Sequence, residues 1–280
     1  MIAAITRKGK SPLRLNALIG GFGFASLILF SLLVMVFSPY DPIETDFLNR
    51  FSGPSAAHWF GTDEYGRDLM TRIAHGAFVS LRVSALAILL AMLIGAVIGL
   101  PSGYFGGWLD KTLMVIVEAI MAFPGLLLVL GIMTALGPNE AGVIIALGIS
   151  YSPPIARVLR GTVFSLREKE FVESSRLIGN NELTTILRHI LPNCISPLTV
   201  IATSIFTAAL LSETALSFLG LGVPPPAPSW GGMLADSRIF LSLNAWMGIL
   251  PGLAISVALL SVNLIGDALR DTFDPQMRNL

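Results

Sequence analysis

The chain has 280 residues, 54% of them hydrophobic and 13% charged, where an ordinary soluble domain carries about 25% charged residues. Lys and Arg number 18 against 18 Asp and Glu, so no basic excess is available to neutralise phosphates, which argues against a nucleic-acid partner. Cys194 is the only cysteine, which rules out an internal disulfide or a cysteine metal cluster and leaves it as a small apolar residue in the membrane. The composition is that of an all-α polytopic membrane protein.

Residues 1–14 carry Arg7, Lys8, Lys10 and Arg14 and read as a cytoplasmic tail. The uncharged run 15–40 that follows has 26 positions, more than the roughly 20 needed to cross a bilayer. It is too long for a signal-peptide core and lacks a small-x-small cleavage site before Asp41, so it reads as a retained first helix. Ala4, then four residues, then Gly9-Lys10-Ser11 nearly matches a phosphate-binding loop. Such a loop needs a strand before it, and only three residues are there, so a basic flank of the first span is the better reading.

Residues 41–82 read as an extracytoplasmic loop with an interfacial segment. Gly61 and Gly66 are turn positions around Thr62, and Asp63, Arg67 and Asp68 are expected to form an ion-paired knot that orders the loop. From 83 to 266 the pattern is a five-helix core. Runs 83–109 and 119–139, the second extended back to about residue 113, are joined by a turn carrying Gly106, Gly107, Asp110 and Lys111. Gly95 and Gly99, at small-xxx-small spacing, let another helix approach closely. Glu118 falls about 9 Å inside its helix; an ionisable group at that depth faces the bundle or a cavity, and Arg157 is the expected partner. The run 141–156 ends at Pro153-Pro154, which is expected to kink the helix and free carbonyls that need partners.

The segment 157–192 is a hydrophilic island. It holds Arg157, Arg160, Arg167, Lys169, Arg176 and Arg188 with Glu168, Glu170, Glu173 and Glu182. Arg167 to Ile178 reads as a charged helix with Lys169 and Glu173 at i,i+4. Gly179 suits a left-handed C-terminal cap, and Asn180 or Asn181 caps the next helix. Leu183, Ile186, Leu187, Ile190 and Leu191 then form an apolar stripe that Pro192 interrupts. A helix, a sharp corner and a second helix, hung from a membrane domain, form a shape suited to docking another protein.

After the island, the run 189–212 continues through Glu213 to Gly220. Glu213 falls about 27 Å along this helix, near the far interface, as a hydrated or ion-paired rim group or as a gate on the solute path. The final run is 239–266, followed by a tail, 267–280. Six spans put both termini on one side. On that side, with the island, fall 13 Lys and Arg against 5 on the other, so termini and island are expected in the cytoplasm. Glu118, Glu213, Pro153 and Pro154 are the candidates for a translocation path or gate.

Four blocks carry a family resemblance. Glu173-Ser174-Ser175, Gly179 and Leu191-Pro192 resemble the E-A-A, three residues, G, nine residues, I-x-L-P loop of ATP-binding-cassette (ABC) importer permeases, with serines for the alanines and His189 in the isoleucine position. His58-Trp59-Phe60-Gly61-Thr62-Asp63 with Gly66-Arg67-Asp68 resembles the extracytoplasmic signature of the dipeptide, oligopeptide and nickel branch. So do the segment from Glu213 to Gly222 with Trp230-Gly231, and the end from Gly266 to Pro275. The resemblance implies the type I importer permease fold, in the bacterial cytoplasmic membrane, with the loop inserting a coupling helix into a cleft on a cytoplasmic ATPase. It implies as partners a homologous second permease subunit, two ATP-binding subunits, an extracytoplasmic solute-binding protein and membrane lipid. ATP and Mg2+ would sit on the ATPase subunits, with no cofactor or metal on this chain. Dipeptides or oligopeptides are the branch's default solutes, with nickel, glutathione or another small solute as alternatives.

An enzyme reading lacks support, because there is no H-E-x-x-H, no G-x-S-x-G and no carboxylate pair at short helical spacing within the apolar runs. The rival is an ion-gradient-driven secondary transporter, for which Glu118, Glu213 and a broken fourth helix would be suitable parts. Against it stand the absence of a visible inverted repeat and the docking shape of the island.

Overall fold

The computed structural model of the chain describes residues 12–273. Arg7, Lys8, Lys10, the Gly9-Lys10-Ser11 near-match, Asp274-Pro275 and Arg278 lie outside the described residues. Apart from one isolated bridge between Thr62 and Asp68, regular structure among the described residues is helical. The long helices are α1 (Pro12–Phe37), α2 (Leu69–Phe105), α3 (Gly107–Met121), α4 (Gly125–Leu136) and α5 (Glu140–Leu166). After α6 (Glu170–Leu177) and the short α7 (Glu182–Thr184) come α8 (Leu191–Phe218), α9 (Trp230–Phe240) and α10 (Trp246–Phe273). Five helices are long and apolar enough to span a membrane, and α3 with α4 makes a sixth as a pair bent by 89°.

Among the described residues, the span that is broken into two helices is the third. The third span, expected to be continuous, breaks at Ala122-Phe123-Pro124, where Pro124 takes an extended ψ of 125° before α4 begins. The fourth, in which a kink is expected at Pro153-Pro154, is unbroken there as a helix, Glu140–Leu166. Pro153 has no N–H for the carbonyl of Ile149, and the Ser152 hydroxyl donates to that carbonyl instead at 2.9 Å. Pro154 frees the Ser150 carbonyl in the same way, so one of the two freed acceptors is satisfied from within its own turn.

Charged residues also extend the spans beyond their uncharged runs. Asp68 caps α2 by accepting from the Thr71 amide at 2.8 Å, and Arg72, buried in the first turn, lies 3.3 Å from Asp63. Arg72 and Arg82 thus belong to a helix, not to the expected loop. Arg157 and Arg160 likewise sit on α5. At the chain's end α10 passes through Gly266 and runs to Phe273, seven residues beyond the end of the apolar run 239–266. Gly266 serves packing there, since a Cβ on it would come within 2.7 Å of Thr203 Oγ1.

The most extensive helix pair is α2 against α5. Gly95 and Gly99, joined by Gly103, form the seam. An added Cβ would meet Ile155 Cγ2 at 2.7 Å, the Ala156 carbonyl at 2.6 Å and the Arg160 carbonyl at 2.7 Å respectively. Ile155, Leu159 and Val163 are fully buried along it. One end of α2 belongs to a cluster with Val172, Ile186 and Ile190 from the island and Cys194 from α8. The other end, at Leu69 and Ile73, packs on Met233 of α9 and Met247 of α10.

Candidate functional site

The island folds as a corner. α6 ends in the left-handed turn expected at Gly179, φ +91°. The Gly179 amide donates to the Arg176 carbonyl and the Asn180 amide to the Ser175 carbonyl, the paired bonds of a Schellman cap. Asn181, rather than Asn180, caps the next helix by accepting from the Thr184 amide at 2.7 Å. Asn180 instead donates its side-chain amide to Ser175 Oγ.

Of the small pair, Ser175 is buried within 3.1 Å of Thr185 Oγ1, while Ser174 and Glu173 face outward. Lys169 precedes α6, and no ion pair with Glu173 forms among the described residues. The tip around the corner is apolar and bare: Leu177 is 82% and Ile178 81% exposed.

The expected stripe is only half right. Ile186 and Ile190 are buried, but Leu183 and Leu187 are exposed, because Thr185–Ile190 forms a π-helical turn that shifts the period. The Leu191 amide reaches back to the Ile186 carbonyl, and the helical backbone runs on from this turn through Pro192 into α8. Pro192 therefore does not interrupt the helix.

Sequence reasoning missed how this corner is tied to α2. Tyr104, 4% exposed near the end of α2, donates its hydroxyl to the Glu182 carboxylate. Arg176 Nε donates to the same hydroxyl at 3.1 Å, with its guanidinium 4.9 Å from the ring centre. Arg167 Nη1 donates to the Gly103 carbonyl at 3.2 Å. Beside them Arg160 holds Asp110 bidentately at 2.5 and 2.7 Å, and Ser102 donates to that carboxylate as well. A lone tyrosine in an apolar run gives no sequence signal for such a role.

At the other end of α2 the expected knot forms, with different partners. Gly61 and Gly66 take φ +79° and +77°, and a Cβ on Gly66 would overlap the Asp46 carbonyl. Asp63 accepts from Arg67 Nε at 2.6 Å, and Arg72 Nε lies 3.3 Å from the same oxygen. Asp68 is not paired with Arg67; it caps α2 and takes His58 Nδ1 at 3.0 Å. Thr62 Oγ1 donates to the Asn49 carbonyl, and its own carbonyl accepts from Asn244, which ties the loop to the segment before α10. Trp230 Nε1 donates to the Ile73 carbonyl at 3.1 Å. A cavity of about 690 Å3 opens beside the knot, bounded by Arg67, Arg72, Ser217, Asp236 and Pro224–Pro226. Burial holds the carboxyls of Glu64 and Asp236 above the usual range.

The two in-span acids depart from expectation. Glu213 lies inside the bundle rather than at its rim and has no ion-pair partner among the described residues. It is fully buried, accepts from Ser217 Oγ at 2.8 Å, and its second oxygen has no partner among the described residues. Glu118 is exposed, and it and Arg157 line one groove without bonding to each other. The ion pair there is Arg160 with Asp110.

Residues 91–279 match the family model of the binding-protein-dependent transport system inner membrane component. A putative peptide transport system permease protein of Brucella suis biovar 1 (strain 1330) is 43% identical over 90% of this chain and 86% of its own length. The dipeptide transport system permease protein DppC of Alkalihalophilus pseudofirmus is 41% identical over 94% and 86%. The glutathione transport system permease protein GsiD of Pectobacterium atrosepticum is 37% identical over 94% and 88%. An inward-facing structure of the MetNI methionine ABC transporter shares the fold, with a TM-score of 0.59 at 17% identity over 74% of this chain and 98% of that one. The chain belongs to the family of binding-protein-dependent transport system inner membrane components, the permease subunits of ABC importers.

Proposed function

We propose that this chain is one half of a permease that carries short peptides into the cell, driven by two ATPase subunits on its cytoplasmic face. The solute class rests on relatives more than 40% identical that are described as peptide and dipeptide permeases. A γ-glutamyl tripeptide is the second reading, favoured by the glutathione permeases among the relatives. The excess of Lys and Arg on the side of the N-terminus and the island orients both inward, where ATP is available. A homologous second permease completes the path, a solute-binding protein delivers from outside, lipid covers α1, and ATP with Mg2+ binds only the ATPases.

Docking is carried by the corner Glu173 to Gly179. An exposed apolar tip on a rigid Schellman turn, with Glu173 and Ser174 outward and Ser175 inward, fits a cleft on another protein. When the ATPases close on ATP, the corner moves, and α2 and α5 move with it through Tyr104, Arg176 and Arg167. Leu191-Pro192 sets the joint between the corner and α8. Of the residues expected on the solute path, Glu118 is retained there, whereas Glu213 and Pro153 are buried inside the bundle.

The test is the assembled complex in nanodiscs with its binding protein. Dipeptide-loaded binding protein should stimulate ATP hydrolysis, and Gly179→Val, which strains the left-handed corner by about 1–2 kcal/mol, should abolish that stimulation. Uptake driven by an ion gradient with no ATPase attached would overturn the reading. Unchanged stimulation in the Gly179 variant would remove the corner from it.

A further inference from the structure

We infer that the groove between α3 and α5 is a solute-binding site for a zwitterion, with Arg157 taking the carboxylate and Glu118 the ammonium. This rests on the importer reading and names where the solute sits within it. The groove has a volume of about 490 Å3 and is lined by Asp110, Lys111, Met114, Val115, Glu118, Arg157 and Arg160. That volume lies in the range of small-molecule sites. Five of the seven residues are charged, in a bundle whose facing surfaces are otherwise mostly apolar.

Their pairing separates them into two groups. Asp110 and Arg160 are spent on each other, with Ser102 on the same carboxylate, and form a fixed floor. Glu118, Arg157 and Lys111 make no hydrogen bond or ion pair among the described residues, although opposite charges share the groove. Glu118 lies seven residues beyond Lys111, the last charged residue before it on α3, about 10 Å at the helical rise. Ionisable groups at that depth face a water-filled path or a partner. The cavity at the far end of α2 makes the contrast, because there Arg67 and Arg72 are already engaged by Asp63.

The unspent set has two cations and one acid, so it attracts a solute with an accessible carboxylate and has one acceptor for an ammonium. Arg157 supplies the planar fork that matches a carboxylate. Lys111 adds positive charge toward the cytoplasmic end of the groove. A free dipeptide offers both ends; a solute with either end blocked loses one anchor.

The experiment measures equilibrium binding of radiolabelled dialanine to the complete, nucleotide-free complex in nanodiscs, with no binding protein present. Arg157→Gln should weaken binding by tenfold or more. The C-terminal amide of dialanine should bind the unmutated complex as weakly, and the amide with the variant should lose nothing further. Glu118→Gln and N-acetyl-dialanine should show the same non-additive pattern. Gel filtration of each variant reports whether the second permease subunit stays attached.

Three results would overturn the site: no retention of dialanine by the unmutated complex, variants that bind it normally, or losses that multiply. Release of the second subunit from Arg157→Gln would assign these charges to the subunit interface instead, which also overturns it. Failure of dipeptide-loaded binding protein to stimulate hydrolysis in the unmutated complex would strike the importer reading itself, and is measured separately.

Discussion

The two ends of α2 handle charge in opposite ways. At the far end Asp63, Arg67, Asp68 and Arg72 are all at least 92% buried and spend their bonding capacity on one another, on His58 and on backbone. At the island end Glu173 and Arg176 lie at the surface, and the tip beside them is bare leucine and isoleucine. A saturated knot holds a loop in one shape, whereas the apolar tip at the other end is left uncovered, as the proposed docking of another protein requires. The same helix thus joins a clasp to a handle.

The sharpest way to break that contrast is to open the clasp. Arg67→Ala leaves Asp63 buried with a partner removed, a change that costs about 3–5 kcal/mol. The purified protein should lose thermal stability by a margin that a handle-side change does not approach, measured by unfolding in detergent.

Tyr104→Phe comes next. It keeps the ring in its buried place but removes the hydroxyl that Glu182 and Arg176 share, a hydrogen bond to charged groups worth about 1.5–3 kcal/mol at most. The ratio of stimulated to basal ATP hydrolysis should fall several-fold in the assembled complex. An unchanged ratio would cut α2 out of the transmission.

Smaller still in stability, Leu177→Ser with Ile178→Ser removes only exposed groups and should shift unfolding by no more than about 0.5 kcal/mol per site. Co-purification of the ATPase subunits should nevertheless be lost. A large stability loss with the ATPases still bound would mean the tip is core rather than handle.

The smallest expected effect is a pH response in the clasp. Glu64 is buried and its folded carboxyl titrates above its ordinary 4.5, so protonation favours the folded loop. Stability should rise as the pH falls through that raised value, then level off below 4.5. Glu64→Gln should flatten the rise, as read from unfolding midpoints between neutral and acid pH.

What the sequence made legible was local. Gly61, Gly66 and Gly179 announce positive φ by residue type and surroundings, and Asp63 with Arg67 is a pair four positions apart. Three-dimensional context decided the rest. Pro153-Pro154 and Pro124 look alike as helix breakers, yet the helix continues through the first, where Ser152 takes one of the two freed carbonyls, and is broken at the second. Arg72 reads as loop because it is charged, and is helical because Asp63 lies where it can receive it. Glu118 and Arg157 share a groove as expected, but whether two charges in one groove touch depends on side-chain reach that spacing does not encode. Tyr104 depends on Glu182, 78 positions away.

The glycine seam between α2 and α5 has a mechanical consequence. Gly99 and Gly103 bring the α2 backbone against the Ala156 and Arg160 carbonyls, and the Ile155, Leu159 and Val163 side chains fill the space beside them, with no room for an added Cβ. The pair is a beam with little play, so a push on the corner at one end is carried along the seam toward the other, where the Trp230 indole bonds the Ile73 carbonyl.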